Sequence, residues 1–185
     1  MYISIDLSEC FNHKVIIDPE EYAQCKATLD NIIMYDMFTL NNFPQSDYEV
    51  RGISFKRQLI TYNKYDNISC ENQKIKIPRR KYNRVHYVGF CEIGRFREKI
   101  ILLSAKRKVA ECDVFFYQWS IGGNTVRTFD IKDEHCMIAF TDEKEKQNDW
   151  LYYYFSTIDN DSCEIDEILL PDNPFVHIVA MTLEF

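Results

Sequence analysis

The stretch from Val85 to Ser120, VHYVGFCEIGRFREKIILLSAKRKVAECDVFFYQWS, limits the fold more than any other part of the chain. Three apolar runs follow one another in it, separated by charged residues, and the last ends on Trp119. Strand side chains alternate between two faces, so Val85, Tyr87, Gly89 and Cys91 share one face and His86, Val88 and Phe90 the other. Ile100–Leu103 is apolar on both faces, as a strand covered on both sides has to be. Val114–Trp119 follows after Ala105-Lys106-Arg107-Lys108, which reads as a turn, and Gly122-Gly123-Asn124 makes the next turn. This is the pattern of three consecutive strands in the core of a β-sandwich.

The rest of the chain repeats it. Ile3, Ile5 and Leu7 alternate with polar residues, and Gly52-Ile53-Ser54-Phe55 begins another strand. Ile75 and Ile77 lie two apart before Pro78, which is expected to end a short strand. Thr125–Ile131 and His135–Thr141 read as a strand pair, Trp150–Phe155 as an aromatic strand, and Phe175–Phe185 as the closing strand. Aromatic residues make up 15% of the chain, which favours pleated, half-buried surfaces. One helix is expected, over about Pro19 to Leu29, where Asp18 can cap, Pro19 suits the first position and Glu21 completes a capping box. Leu29–Pro44 is apolar but irregular and reads as a long ordered loop. The expected fold class is all-β: a β-sandwich of jelly-roll type with one short helix, residues 1–185 forming a single domain. At 185 residues the chain can bury a sizeable core without a covalent staple.

Charge and cysteine usage narrow the function classes. The net charge of -7 argues against nucleic acid as a partner, since phosphate binding needs a basic surface. The seven cysteines are odd in number and form no CxxC pair, so they suggest neither a disulfide framework nor a zinc site, but small core side chains kept reduced. No basic segment precedes a long apolar core at the N-terminus, and no apolar run approaches 18 residues. The expectation is a cytoplasmic protein with no membrane partner. The basic cluster Arg79, Arg80, Lys81 and Arg84 reads as a solvated turn before a buried strand.

Chemistry is sparse in the sequence. There is no nucleophile elbow, no P-loop and no GxGxxG. Glycosidase chemistry needs two carboxylates at a set separation, and spacing singles out no pair. Glu111 and Asp113 share one strand face, where a solvated edge is the plainer reading. His13, His86, His135 and His177 are far apart in sequence. The segment Asp159–Glu167 reads as an acidic loop. Its Asp159 and Asp161 are the best oxygen ligands for calcium, though the glycine of an EF-hand loop is missing. No other cofactor is suggested, and catalysis is not expected.

The order of motifs resembles the galactose-binding-like β-sandwich domains attached to glycoside hydrolases. IDLSECFN is similar to that family's opening strand and turn, and LDNIIMYDMFTLNNFP to its segment leading to a proline. GISFKR followed by DNISCENQKIKIP, then YNRVHYVGF, KIILL and Gln118-Trp119-Ser120, resembles the middle run. LPDNPFVHIVAMTLE resembles the final strand. Where the family often has an Asp-Gly turn, Ala105-Lys106-Arg107-Lys108 stands, and a different turn geometry is expected there. The resemblance implies a non-catalytic module that binds carbohydrate. A protein–protein interaction module is the alternative, and a jelly-roll hydrolase or lyase a third. Sugar binding needs exposed aromatic rings, and Trp150, Tyr152, Tyr154 and Tyr35 are the candidates. Trp150, Tyr152 and Tyr154 recur at period two on one strand face, which is either a sugar platform or one wall of the core.

Overall fold

The computed structural model describes residues 1–15, 47–56, 64–118, 120–121, 136–141, 150–161 and 163–185, with 120–121, 136–141 and 150–153 placed as strand backbone. Thirteen strands run through them. They are β1 Tyr2–Ser4, β2 Tyr48–Val50, β3 Ile53–Phe55, β4 Ile68–Glu71, β5 Lys74–Lys81, β6 Arg84–Cys91, β7 Arg95–Ser104, β8 Arg107–Tyr117, β9 Ser120–Ile121, β10 Cys136–Thr141, β11 Trp150–Asp159, β12 Glu164–Leu169 and β13 Asp172–Glu184. A 3-10 turn covers Ser8–Cys10. The larger sheet has the order β1-β13-β6-β11-β10, with β4 also on β13 and β9 also on β11. The smaller has the order β5-β12-β7-β8, and β2 and β3 form a separate ribbon. All named strand pairs are antiparallel. The fold is an all-β sandwich, as the alternation predicts.

The core lies between the two sheets. Val85, Tyr87 and Cys91 of β6 meet Ile100 and Leu102 of β7, Val114 and Phe116 of β8, and Ile165 and Ile168 of β12. Each such buried apolar side chain contributes roughly 1.5–3 kcal/mol. β13 supplies Val176 and Ile178, then Met181 and Leu183, so its inward parity switches midway. A register shift between Ile178 and Ala180 makes the switch. One extra residue there keeps an apolar face inside along a long strand.

The outer face of the larger sheet is buried as well. His86, Val88, Phe90, His177, Val179 and Thr182 are all nearly inaccessible. The β2–β3 ribbon docks nearby. The Ser54 carbonyl accepts Thr182 Oγ1 at 2.7 Å and Ser4 Oγ at 3.0 Å, and Phe55 meets Phe155 edge-on at 6.1 Å.

Three expectations are corrected. Pro78 does not end its strand, because β5 is the edge of its sheet, where a missing N–H leaves no ladder bond unmade. Arg79, Arg80 and Lys81 therefore belong to β5 rather than to a turn, and the chain reverses at Tyr82-Asn83. Asp159–Glu167 is not one loop. Asn160 Nδ2 donates 2.8 Å bonds to the Tyr82 and Cys163 carbonyls, closing a short turn, and β12 begins at Glu164 with Ile165 and Ile168 buried.

The third correction concerns the β7–β8 turn. Ala105 and Lys106 have φ of 49° and 66°, both in the left-handed region. A two-residue hairpin turn with both φ positive is the geometry that Asp-Gly normally supplies. The turn thus has the shape that Asp-Gly would supply, not a different one, with unfavourable residues in it. The Asp166 carboxylate helps to hold it by accepting the Ala105 N–H at 3.0 and 3.1 Å. Lys106→Gly is expected to raise stability by about 0.5–1 kcal/mol, read as a higher urea midpoint at unchanged m-value. A lower midpoint would contradict this account.

The expected helix over Pro19–Leu29, the segment Leu29–Pro44 and the strand Thr125–Ile131 lie outside the described residues. No helix among the described residues is long and apolar enough to cross a membrane.

Candidate functional site

Two places concentrate chemistry. The first is a buried polar network on the outer face of the larger sheet. His13 bridges Asn67 in the backbone ladder, and β13 brings His177 against it, the two rings 4.7 Å apart. His177 stacks on Phe90 at 4.7 Å with an interplanar angle of 7°. Asn67 Nδ2 donates to Asp66 Oδ1 at 2.8 Å and to the His13 carbonyl at 3.2 Å, which turns its Oδ1 towards His177 Nδ1 at 2.8 Å. Glu92 Oε1 lies 3.0 Å from His177 Nε2. Asp66 also accepts the Val15 N–H at 3.0 Å and pairs with Lys14 Nζ at 3.1 Å, both charged side chains about 1% exposed.

Both ring nitrogens of His177 are engaged, so neither is left for a metal. Burial, reinforced by His177, pushes His13 down from 6.5 to about 3, against the opposing hydrogen bond from Asn67. The unfolded chain takes up this proton near pH 6.5 and the folded protein does not. Stability is therefore full above about pH 6.5 and falls as the pH drops towards 3. The urea midpoint is expected to be lower at pH 5 than at pH 7.5, with the His13 ring still neutral by NMR at pH 5. Equal midpoints would count against this. His86 is a second buried histidine, with Nδ1 2.8 Å from Thr157 Oγ1 and Nε2 3.0 Å from Glu184 Oε2. Burial is the main cause that lowers its pKa. The histidines thus gather in part, His13 with His177, while His135 lies outside the described residues. Sequence spacing could not reveal this pairing, because a 110-residue separation between Asn67 and His177 closes only through the sheet.

The second place is the outer face of the smaller sheet and the cleft beside it. β12 pairs with β7 only at Ile101, Leu102 and Leu103. After Leu169 the chain leaves through Leu170-Pro171 and crosses to β13, while β7 continues to Arg95. The mismatch opens a cleft of about 440 Å³, lined by Asn72, Arg97, Glu98, Lys99, Ile101, Asp113 and Leu169–Asp172. Its lining mixes apolar Ile101, Leu169, Leu170 and Pro171 with polar and charged side chains. Asn173 Nδ2 donates to Glu98 Oε1 at 2.6 Å, and Arg97 pairs with Asp113 at 2.6 Å. The Arg97 guanidinium holds Asp113 below its ordinary pKa, so this carboxylate keeps no proton to donate. Lys99 and Lys108 both bond to Glu111. Beside the cleft, Phe115 is 38% exposed, with the Arg95 guanidinium 4.9 Å from its centroid and 5.2 Å from that of Tyr117.

Three of the aromatic residues proposed from sequence, Trp150, Tyr152 and Tyr154, lie on β11. Tyr154 is buried on β11, its hydroxyl donating to the Gln118 carbonyl at 2.9 Å and its ring 5.2 Å from Tyr117. Trp150 and Tyr152 lie on the same strand, in register with Thr141 and Ile138. Tyr35 lies outside the described residues. Asp159 is exposed and pairs with Arg84 at 2.9 Å, while Asp161 sits in the turn with φ of 46°. Glu164 pairs with Arg79. Asp166 holds the β7–β8 turn, so these acids do not converge as a calcium loop would require. Among the described residues no group of three or more His, Cys, Asp or Glu side chains is placed to hold a metal ion. Cys70 and Cys91 are buried, and burial pushes Cys91 up to about 12, which keeps it an unreactive thiol. Phe115, Arg95 and Asn72 were not legible as a site, because they come from three different strands or turns.

An antiparallel two-sheet sandwich with a polar cleft on one outer face defines the structural class. The chain belongs to the AziU2-like beta-sandwich domain family, whose model matches residues 5–185. No curated protein matches it.

Proposed function

We propose that this domain is a non-catalytic carbohydrate-recognition module that takes a saccharide in the cleft between β7 and the β12–β13 connection. One observation carries the reading. An open cleft of about 440 Å³ is lined by apolar Ile101, Leu169, Leu170 and Pro171 together with amide, carboxylate and cationic groups, the combination that holds a sugar by ring packing and hydroxyl bonding. The order of sequence motifs, similar to galactose-binding-like sandwiches, supports it. The absence of catalysis is supported by committed carboxylates, Glu98 on Asn173 and Asp113 on Arg97. A glycan array followed by calorimetry tests the reading. Binding of at least one oligosaccharide is expected, weakened about tenfold by Asn72→Ala or Glu98→Gln. Silence across both methods, with the protein folded by circular dichroism, would sink it.

A different observation favours a protein-interaction module. Ile93 is 56% and Phe175 46% exposed. They lie close together, because the Glu92 N–H donates to the Phe175 carbonyl at 3.0 Å, and Phe96 stacks on Phe175 at 6.4 Å. Such an apolar end is costly to leave in water. One stoichiometric partner recovered by wild type and lost with Ile93→Asp would favour this second reading.

A further inference from the structure

The charge of the proposed binding face runs against that of the chain. The protein carries a net charge of -7, yet the charged residues that the smaller sheet leaves exposed or half-exposed include Lys74, Lys76, Arg79, Arg95, Arg97, Lys99 and Lys108, against the carboxylates Glu111, Asp113, Glu164, Asp166 and Glu167. Arg97 pairs with Asp113, while Lys99 and Lys108 share the single carboxylate of Glu111, so one positive charge is left over among them. Arg95 makes no ion pair among the described residues. Its side chain is exposed, and its guanidinium is held by Phe115 and Tyr117, two residues apart on β8.

This arrangement is pre-organised. Antiparallel register sets Arg95 opposite Tyr117 and Arg97 opposite Phe115, so both cations and both rings stand on paired positions of rigid strands. Aromatic contacts occupy the flat face of a guanidinium and leave its N–H edge available, and that edge matches a carboxylate in two parallel bonds. Arg97 also lines the cleft, so a ring seated there lies next to the cationic pair.

We infer that the module selects acidic saccharides, with a uronate carboxylate set on the edge of Arg95 and its sugar ring in the cleft bounded by Arg97. The inference rests on the carbohydrate reading and deepens it. Arg95 is then the specificity determinant for charge, and the cleft residues govern binding of the ring.

The test compares trisaccharides of galacturonic, glucuronic and mannuronic acid with their methyl esters by calorimetry, with a poly-glutamate peptide as a third arm. Esterification removes the charge and keeps the ring. At least one acid is expected to bind about tenfold more tightly than its ester, with the advantage shrinking between about 20 and 300 mM salt. Arg95→Gln is expected to abolish the advantage while the ester still binds, and Arg95→Lys to restore only part of it. Equal binding of acid and ester would overturn charge selection while the carbohydrate reading stands. Failure of every trisaccharide would overturn both. Poly-glutamate binding as tightly as the best uronate would mark a general anion surface and overturn the saccharide assignment.

Discussion

Lys14→Met is expected to destabilise the fold by about 3–5 kcal/mol, because it takes one member from a buried ion pair with Asp66. The pair is 3.1 Å apart with both side chains about 1% exposed. Asp66 also ties Val15 and Asn67, and Asn67 in turn orients His177. The damage should therefore spread through the network to β13. Chemical denaturation of wild type, Lys14→Met and Lys14→Met with Asp66→Asn measures it. The double variant also removes the Asp66 charge, keeps an acceptor at the same place, and should recover a large part of the loss. A single variant within about 1 kcal/mol of wild type would show that the pair is not worth its burial. If Lys14→Met does not accumulate as folded protein, the double variant still reports the coupling.

Gly89→Ala is the second large effect, expected at about 3 kcal/mol. An added Cβ would sit 2.5 Å from the His177 carbonyl oxygen and 3.0 Å from Phe116 Cε1. The first contact is backbone, so relief requires β13 to move away from β6, against eight paired positions. Gly94→Ala is the control. Its Cβ meets nothing within 4 Å, but φ of 61° makes any side chain strained, and a loss of about 1 kcal/mol is expected. For a domain of this size the two should lower Tm by roughly 6–12 °C and 2–4 °C. Equal losses would mean that close approach at Gly89 is not the cause.

Much of the fold was legible because the inner-facing alternation is a local property. Val85, Tyr87 and Cys91 announce their face without knowing what covers it. Local rules failed where neighbours decide. Pro78 reads as a strand end, but edge position makes it harmless. Ala105-Lys106 reads as a departure from the hairpin turn, yet the pairing of β7 with β8 and the Asp166 carboxylate impose that turn. Asp159–Glu167 reads as an acidic loop, because exposed Glu164 and half-exposed Asp166 and Glu167 mask the buried Ile165 and Ile168 between them. Of the aromatic row, Tyr154 is inside, and a ring exposed on the smaller sheet, Phe115, is placed in the sequence among apolar neighbours that look like core.

What the sequence determined by itself was the class: period-two apolar runs bounded by charged turns leave a sandwich as the way to bury both faces of so many strands. Val85–Ser120 was enough to set β6, β7 and β8. Tertiary structure decided everything that depends on strands of different length meeting. The cleft exists because β12 stops at Leu169 while β7 runs on to Arg95, and the histidine network exists because β13 lies between β4 and β6. Neither relation is encoded in any one segment, since each is a distance between residues that only sheet pairing brings together.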